Sequence, residues 1–301
     1  MPGPTVDRSI PTAGLVDRRA ELLGAPGGDA RDSELDIVTD ELRRRLADVP
    51  TVVRRIDPAE PGELPNRLAA LEPVHPIAGP ADLADRLDVD RRLFALQHPL
   101  LPDRPMNVVW VALCTGVPTS IHAVLDPTAP ALDPGTADTA VFYSIWNAEP
   151  GLDGLGRGRD LIEGAVGELR TELPGLSTFV TLSPIPGYRA WAVTHAAESG
   201  AAETGARAEA DEQALLCDCA TYLTTRRHDG RPLDPVARFH LGNGARLWRI
   251  NARADLSDRG RQRSWGLMAN YRYEPEDRAA NRAQLTAGTV PVSDEVRALL
   301  G

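Results

Sequence analysis

The sequence has no lysine: all 33 of its basic residues are arginine. That absence excludes Schiff-base chemistry and a lysine general base, because both need an amine that can give up its proton. Cysteine is scarce, with only Cys114, Cys217 and Cys219. So small and odd a set excludes a disulfide framework and fits a reducing compartment. The Cys-Asp-Cys at 217–219 offers half a metal site, but no second thiol pair or histidine cluster completes it, so no metal is expected. The six histidines are His75, His98, His122, His195, His228 and His240, and no two are four apart. A zinc site of the His-Glu-x-x-His kind is therefore excluded. No apolar run reaches membrane-spanning length and no signal-peptide pattern is seen, so a soluble, cytoplasmic protein with no membrane partner is expected. The net charge is −10, with 43 acidic residues. That balance argues against nucleic acid as a partner, which needs a basic footprint, but leaves room for a local basic pocket around an anion.

What is present is enough for a sizeable core: 301 residues, 42% of them hydrophobic. Such a chain folds as one large domain or two small ones without covalent staples. Residues 1–34 are rich in Pro, Gly, Ala and Asp and are expected to be largely disordered, apart from one short helix at Leu15–Leu23. Residues 35–48 carry Leu35, Ile37, Val38, Leu42 and Leu46 near the helical period. Together, 35–66 form a helical lead-in with a short strand at 51–56. The remainder, 67–301, is the expected principal domain. Strands are expected at 92–97, 106–113, 139–146 and 177–182, and NVVWVAL is apolar enough to be central. An amphipathic helix is expected at Arg159–Leu173, a mobile excursion at 196–211 and a helix at Glu212–Thr224. Residues 236–253 read as mixed strand and turn, 266–273 as a closing strand, and the tail as loop plus a short helix at Asp294–Leu299.

One segment carries a ligand signal. GLDGLGRGRDLIEGAV (151–166) follows an apolar strand and opens a helix. Gly154, Gly156 and Gly158 allow close backbone approach, and the helix N-terminus offers free N–H groups to an anion, with Arg157 and Arg159 adding charge. Strand, glycine turn and helix in that order are what a pyrophosphate cradle requires. A P-loop is excluded for want of Gly-Lys-Ser/Thr, and the nicotinamide fingerprint fits poorly. Two side chains stand out as candidates for chemistry. Ser183 ends the strand FVTL and begins Ser-Pro-Ile-Pro-Gly, where two prolines fix the backbone. His240 lies in ARFHLGNGARLWRIN, read here as a turn that holds a side chain at a pocket mouth. Gly-x-Ser-x-Gly is absent, so Ser183 is not on a nucleophile elbow.

These segments, with LEPVHPI (71–77), VALCTGVPTSIHAVL (111–125), TAVFYSIWN (139–147), ELPGLSTFVTLSPIPGY (172–188), DPVARFHLGNGARLWRIN (234–251) and GLMANYRY (266–273), resemble the C-terminal catalytic part of the malonyl-CoA decarboxylase family. The resemblance runs in family order over roughly residues 50–301. It implies an α+β, GNAT-like fold, a mixed twisted sheet flanked by helices, here with a short helical N-terminal extension. It implies that 67–301 is an acyl-CoA-binding catalytic domain converting malonyl-CoA to acetyl-CoA and CO2, a step of fatty acid metabolism. By the same resemblance Ser183, His240 and Tyr273 are catalytic, and Asp153, Gly154, Leu155, Gly156, Arg157, Gly158 and Arg159 contact the acyl-CoA. No cofactor is implied beyond the coenzyme A of the substrate. On this reading Ser183 orients the substrate and relays a proton, and His240 protonates the enolate as general acid. The alternative is an acyl-CoA-dependent acyltransferase, with or without decarboxylation, acting on a carrier-protein thiol or an amine. A non-catalytic acyl-CoA sensor is disfavoured because it has no use for a proton donor.

The sequence also departs from the family pattern. Only about 50 residues precede the matching region, so the family's helical N-terminal domain is expected to be missing or vestigial, and a homo-oligomer has no support from it. Gly156, Arg157, Arg159, Trp146 and Ala252 differ from the usual residues, which leaves malonyl and methylmalonyl both open as acyl groups. A single methyl discriminates by only about 1–3 kcal/mol.

Overall fold

A computed structural model describes residues 9–57, 64–155, 158–199 and 212–301. In chain order the elements are α1 (Thr12–Gly24), α2 (Asp29–Ala47), β1 (Val52–Arg55), α3 (Leu64–Leu71), α4 (Pro80–Arg86), β2 (Arg91–Gln97), β3 (Asn107–Cys114), α5 (Ile121–Val124) and β4 (Thr139–Asn147). A 3-10 turn at Pro150–Leu152 leads to α6 (Gly158–Glu172), β5 (Thr178–Thr181), β6 (Ser183–Pro184), α7 (Tyr188–Ser199), α8 (Glu212–Thr224) and α9 (Pro235–Gly242). The last are β7 (Arg246–Asn251), α10 (Asp258–Ser264), β8 (Met268–Arg272), α11 (Arg278–Thr286) and α12 (Asp294–Leu300). The expected α+β class, an open mixed sheet flanked by helices, is the one observed. No helix among the described residues is long and apolar enough to cross a membrane.

The chain divides into two compact units, Met1–Trp110 with Ser144–Glu172, and Val111–Tyr143 with Leu173–Gly301. The boundaries expected at 34 and 66 do not coincide with them. In the first unit the strand order is β1-β2-β3-β4. β1 is antiparallel to β2 in the register Val52↔Gln97 to Arg55↔Phe94. β2 is buried along its central five residues, of which Leu93 to Leu96 form a continuous apolar run rather than an alternation and Arg92 is paired with Glu172. α6 turns Leu161, Ile162, Ala165, Val166 and Leu169 inward. A Cβ on its Gly164 would stand 2.3 Å from Val53 Cγ2, so only glycine lets helix and strand approach this closely.

The N-terminal expectation needs correction. Among the described residues, 12–24 and 29–47 are helical, not disordered. α1 buries Leu15, Val16, Arg19 and Leu22, and α2 buries Val38, Thr39, Leu42 and Leu46. Few apolar residues suffice because α1 docks tightly on the 3-10 turn. A Cβ on Gly151 would lie 1.9 Å from the Val16 carbonyl oxygen. The Arg19 guanidinium donates to the Gly151 carbonyl (2.8 Å) and to Thr39 Oγ1 (2.8 Å). Composition saw the weak local pattern and missed this tertiary contact.

In the second unit the order is β3-β4-β5-β8-β6, with β7 also paired to β8. β4 and β5 are parallel, Thr139↔Thr178 to Phe142↔Thr181. β8 is antiparallel to its neighbours and is shared: Arg272 pairs with Val180 of β5, while Ala269 and Met268 pair with Ser183 and Pro184 of β6. The reading of 236–253 as strand and turn is also corrected. Its first part is α9, and the strand β7 begins only at Arg246. Asp234 caps α9, its Oδ1 accepting from the Val236 and Ala237 amides, and Pro235 takes the first helical position. Of the expected excursion at 196–211, residues 196–199 continue α7 and 200–211 lie outside the described residues.

Candidate active site

β5 and β6 are separated by one residue, Leu182, whose amide donates to the Phe142 carbonyl (3.1 Å). Thr181 and Ser183 are two apart on an extended segment and so face the same side. Ser183 Oγ donates to Thr181 Oγ1 at 2.9 Å, and the Tyr271 amide donates to the same Thr181 oxygen at 3.1 Å. The crossing is fixed from β8 as well: Asn270 Nδ2 donates to the Thr181 carbonyl (2.6 Å), and Asn270 Oδ1 accepts from Asn251 and Arg249.

His240 enters from the last turn of α9. Its Nε2 is 3.1 Å from Ser183 Oγ, and its Nδ1 is 2.8 Å from the Tyr273 hydroxyl. With the Ser183 proton given to Thr181, the Ser183 oxygen accepts from Nε2–H. Nδ1 is then the acceptor for the Tyr273 hydroxyl. The result is one directed chain, Tyr273 to His240 to Ser183 to Thr181, and every member is at most 5% exposed. The imidazole is held in place by aromatic rings. It stacks on Tyr271 (centroids 4.7 Å, 24°) and meets Tyr273 edge-on at 6.1 Å. Tyr273 in turn meets Phe142 edge-on at 6.4 Å.

Burial decides the protonation states. It lowers the His240 pKa from its ordinary 6.5 to about 3, so the ring is neutral at pH 7. It pushes the Tyr271 and Tyr273 hydroxyls well above their usual range, so both stay protonated. The site is thus a neutral hydrogen-bonded chain, not an ion pair.

The expected site residues of this unit, Ser183, His240 and Tyr273, are therefore brought together. His240 sits inside a helix rather than at a turn, and this is a correction to its expected setting. Sequence reasoning missed Thr181, Asn270 and Tyr271. The two-residue strand periods Thr181/Ser183 and Tyr271/Tyr273 were the available signal.

The loop residues belong to the other unit. Asp153 Oδ1 accepts from Asn147 Nδ2 (2.7 Å), and the Leu155 amide closes on the Leu152 carbonyl (3.0 Å). Gly154 has φ +74°, in the left-handed region that glycine occupies without strain. Gly158 is the first residue of α6, and Arg159, exposed beside it, pairs with Glu163 (3.4 Å). Gly156 and Arg157 lie outside the described residues.

The family model described as the malonyl-CoA decarboxylase C-terminal domain matches residues 51–220 and 192–301. The chain belongs to the malonyl-CoA decarboxylase family. Mitochondrial malonyl-CoA decarboxylase of the goose Anser anser anser is 34% identical over 271 residues, 77% of this chain and 54% of that protein. The Rattus norvegicus protein is 31% identical over 288 residues, 82% of this chain and 58% of that one. The chain thus spans little more than half the length of these relatives. A solved malonyl-CoA decarboxylase from Agrobacterium vitis superposes with a TM-score of 0.86 at 39% identity, covering 97% of this chain and 77% of that one. One from Rhodopseudomonas palustris gives 0.84 at 36%, covering 95% and 75%. Family membership thus rests on the sequence model and on these relatives together.

Proposed function

We propose that this chain decarboxylates malonyl-CoA to acetyl-CoA and CO2 through a thioester enolate. The observation that carries the proposal is the buried, neutral chain from Tyr273 through His240 to Ser183. In the reaction the bond between the α-carbon and the carboxylate breaks. Its electron pair moves into the thioester, and CO2 leaves. The thioester is the electron sink, so the chemistry calls for no metal, biotin or pyridoxal phosphate. Fixed donors facing the developing oxyanion supply the largest stabilising effect in such a step.

The enolate then needs one proton. A neutral imidazole is a weak acid, but a thioester enolate is a stronger base than the anions of imidazole, serine or tyrosine. Ser183 Oγ gives its proton to the α-carbon and takes one from His240 Nε2. Nδ1 takes up the Tyr273 proton in the same movement, so the negative charge passes from the enolate to the Tyr273 oxygen, and water then returns a proton there and leaves as hydroxide. The imidazole itself stays neutral throughout. This changes the role expected for His240, from the group that itself protonates the α-carbon to a neutral relay behind Ser183. The Gly154–Arg159 loop is assigned to the coenzyme A pyrophosphate, with the α6 N-terminus and Arg159 favouring the anion.

The test is mass spectrometry and CO2 detection on purified protein given malonyl-, methylmalonyl- or acetyl-CoA, with and without an amine or thiol acceptor. CO2 release from malonyl-CoA alone is expected. Strict dependence on an acceptor would assign the chain to the acyltransferases instead.

A further inference from the structure

Asp234 is fully buried and takes no part in the proton chain. It is nonetheless a carboxylate surrounded by donors. Oδ1 accepts from the Val236 amide (2.9 Å) and the Ala237 amide (2.8 Å), and Oδ2 accepts from the Tyr222 hydroxyl (3.1 Å). The Gly187 amide faces it as well. Burial raises its pKa and these four donors oppose the shift.

The donors come from three parts of the chain. Val236 and Ala237 lie in the first turn of α9, whose last turn carries His240. Gly187 closes the Ser-Pro-Ile-Pro-Gly segment, which begins at Ser183. Tyr222 belongs to α8 and is packed against Tyr188 (5.7 Å) and Trp191 (5.2 Å). The contact with the Ser183 segment is close, since a Cβ on Gly187 would stand 2.3 Å from the Tyr222 hydroxyl. A plain helix cap needs only the two α9 amides. The other two donors link that cap to the segment carrying Ser183.

We infer that Asp234 is a positioning residue that holds the Ser183 segment and the His240 helix in register, capping α9 directly and reaching the Ser183 segment through the Tyr222 hydroxyl that lies against Gly187. It acts through Ser183 and His240 and touches no substrate. The inference rests on the decarboxylase reading for its kinetic test, but not for its spectroscopic one.

Asp234→Asn keeps a competent helix cap and replaces one acceptor oxygen by a donor. Tyr222→Phe removes a single donor and leaves the carboxylate. In Asp234→Asn, kcat for CO2 release from malonyl-CoA should fall at least about tenfold with KM within about threefold, as for an interaction felt only in the transition state. Tyr222→Phe should show a smaller fall in kcat, about threefold, with KM equally unmoved. In a His240→Asn background both effects should shrink to less than about twofold, because residues acting as a unit are non-additive. A folded Asp234→Asn protein with wild-type kcat, or an undiminished effect in the His240→Asn background, overturns the inference. Should Asp234→Asn fail to fold, unchanged kcat in Tyr222→Phe overturns it. The His240 ring nitrogen resonances by 15N NMR give a second readout. They should shift in Tyr222→Phe with the Nε2–H signal broadened, and unmoved resonances count against positioning. A wild-type chain that releases no CO2 overturns the decarboxylase reading instead and leaves the NMR result to decide this one.

Discussion

At the scale of single residues, His240 and Ser183 behave as one device. His240→Asn is expected to lower kcat by about 10²–10⁴-fold with little change in KM, the usual worth of a positioned proton donor. Ser183→Ala should also lower kcat, and the double variant should be hardly worse than the poorer single one. His195, exposed and stacked on Trp191 at 4.8 Å, is the control, and its replacement should leave kcat within a few-fold. Steady-state CO2 release, with each variant's melting curve as a folding check, reads all four. Burial of His240 also sets an acid limit on stability. Its folded pKa, about 3, lies below the ordinary 6.5. Between those values the unfolded chain binds a proton that the folded one refuses. Stability is therefore full above pH 6.5 and falls as the pH drops toward 3, by an amount on the order of a few kcal/mol. Urea melts at pH 7, 5 and 4 should show that fall, and His240→Asn should flatten it. An equal slope in the variant would mean that other groups carry the acid sensitivity.

At the scale of elements, the N-terminal helices carry a clear expectation. α1 buries Leu15, Val16 and Leu22 and braces the turn before the glycine loop. A chain beginning at Ser33 should melt more than about 5 °C below the full one, since each lost core side chain costs several kcal/mol. Gly151→Ala should do nearly the same, because its Cβ would enter the Val16 carbonyl. Gly154→Val puts a β-branched residue at positive φ, and it should raise KM sharply while sparing kcat; an unchanged KM would remove the cradle assignment. What the sequence revealed depended on how local each signal was. β2, β3 and β4 were legible because buried strands read as apolar runs, and α6 because its stripe is periodic. α8 was read at its observed limits. α9 was missed because it has only eight residues and ends in Gly242-Asn243-Gly244, whose turn signal outweighed the Asp234-Pro235 start. α1 was undervalued because its stability comes from Gly151, far away in the chain. Ser183 and His240 stood out through their turn-forming surroundings, and Tyr273 was found through the family resemblance. Thr181, Asn270 and Asp234 had no such marker, since their roles come from hydrogen bonds that only the fold creates.

At the scale of the molecule, ligand binding should appear as stability. Acetyl-CoA at 100 times its Kd should stabilise the protein by about 2.7 kcal/mol, visible as a rise in Tm that grows with ligand concentration. A Tm independent of acetyl-CoA would argue against a coenzyme A site in the native state. The tie between Arg19 and Gly151 has a consequence in time as well as in space. The two residues are 132 positions apart. A ribosome adding about 5–20 residues per second takes roughly 7–26 s to travel from one to the other. Throughout that interval α1 can pack on α2 but lacks the turn that will receive its other contacts. α1 is thus made well before the turn it docks on, and a chaperone acting during synthesis would find that face waiting.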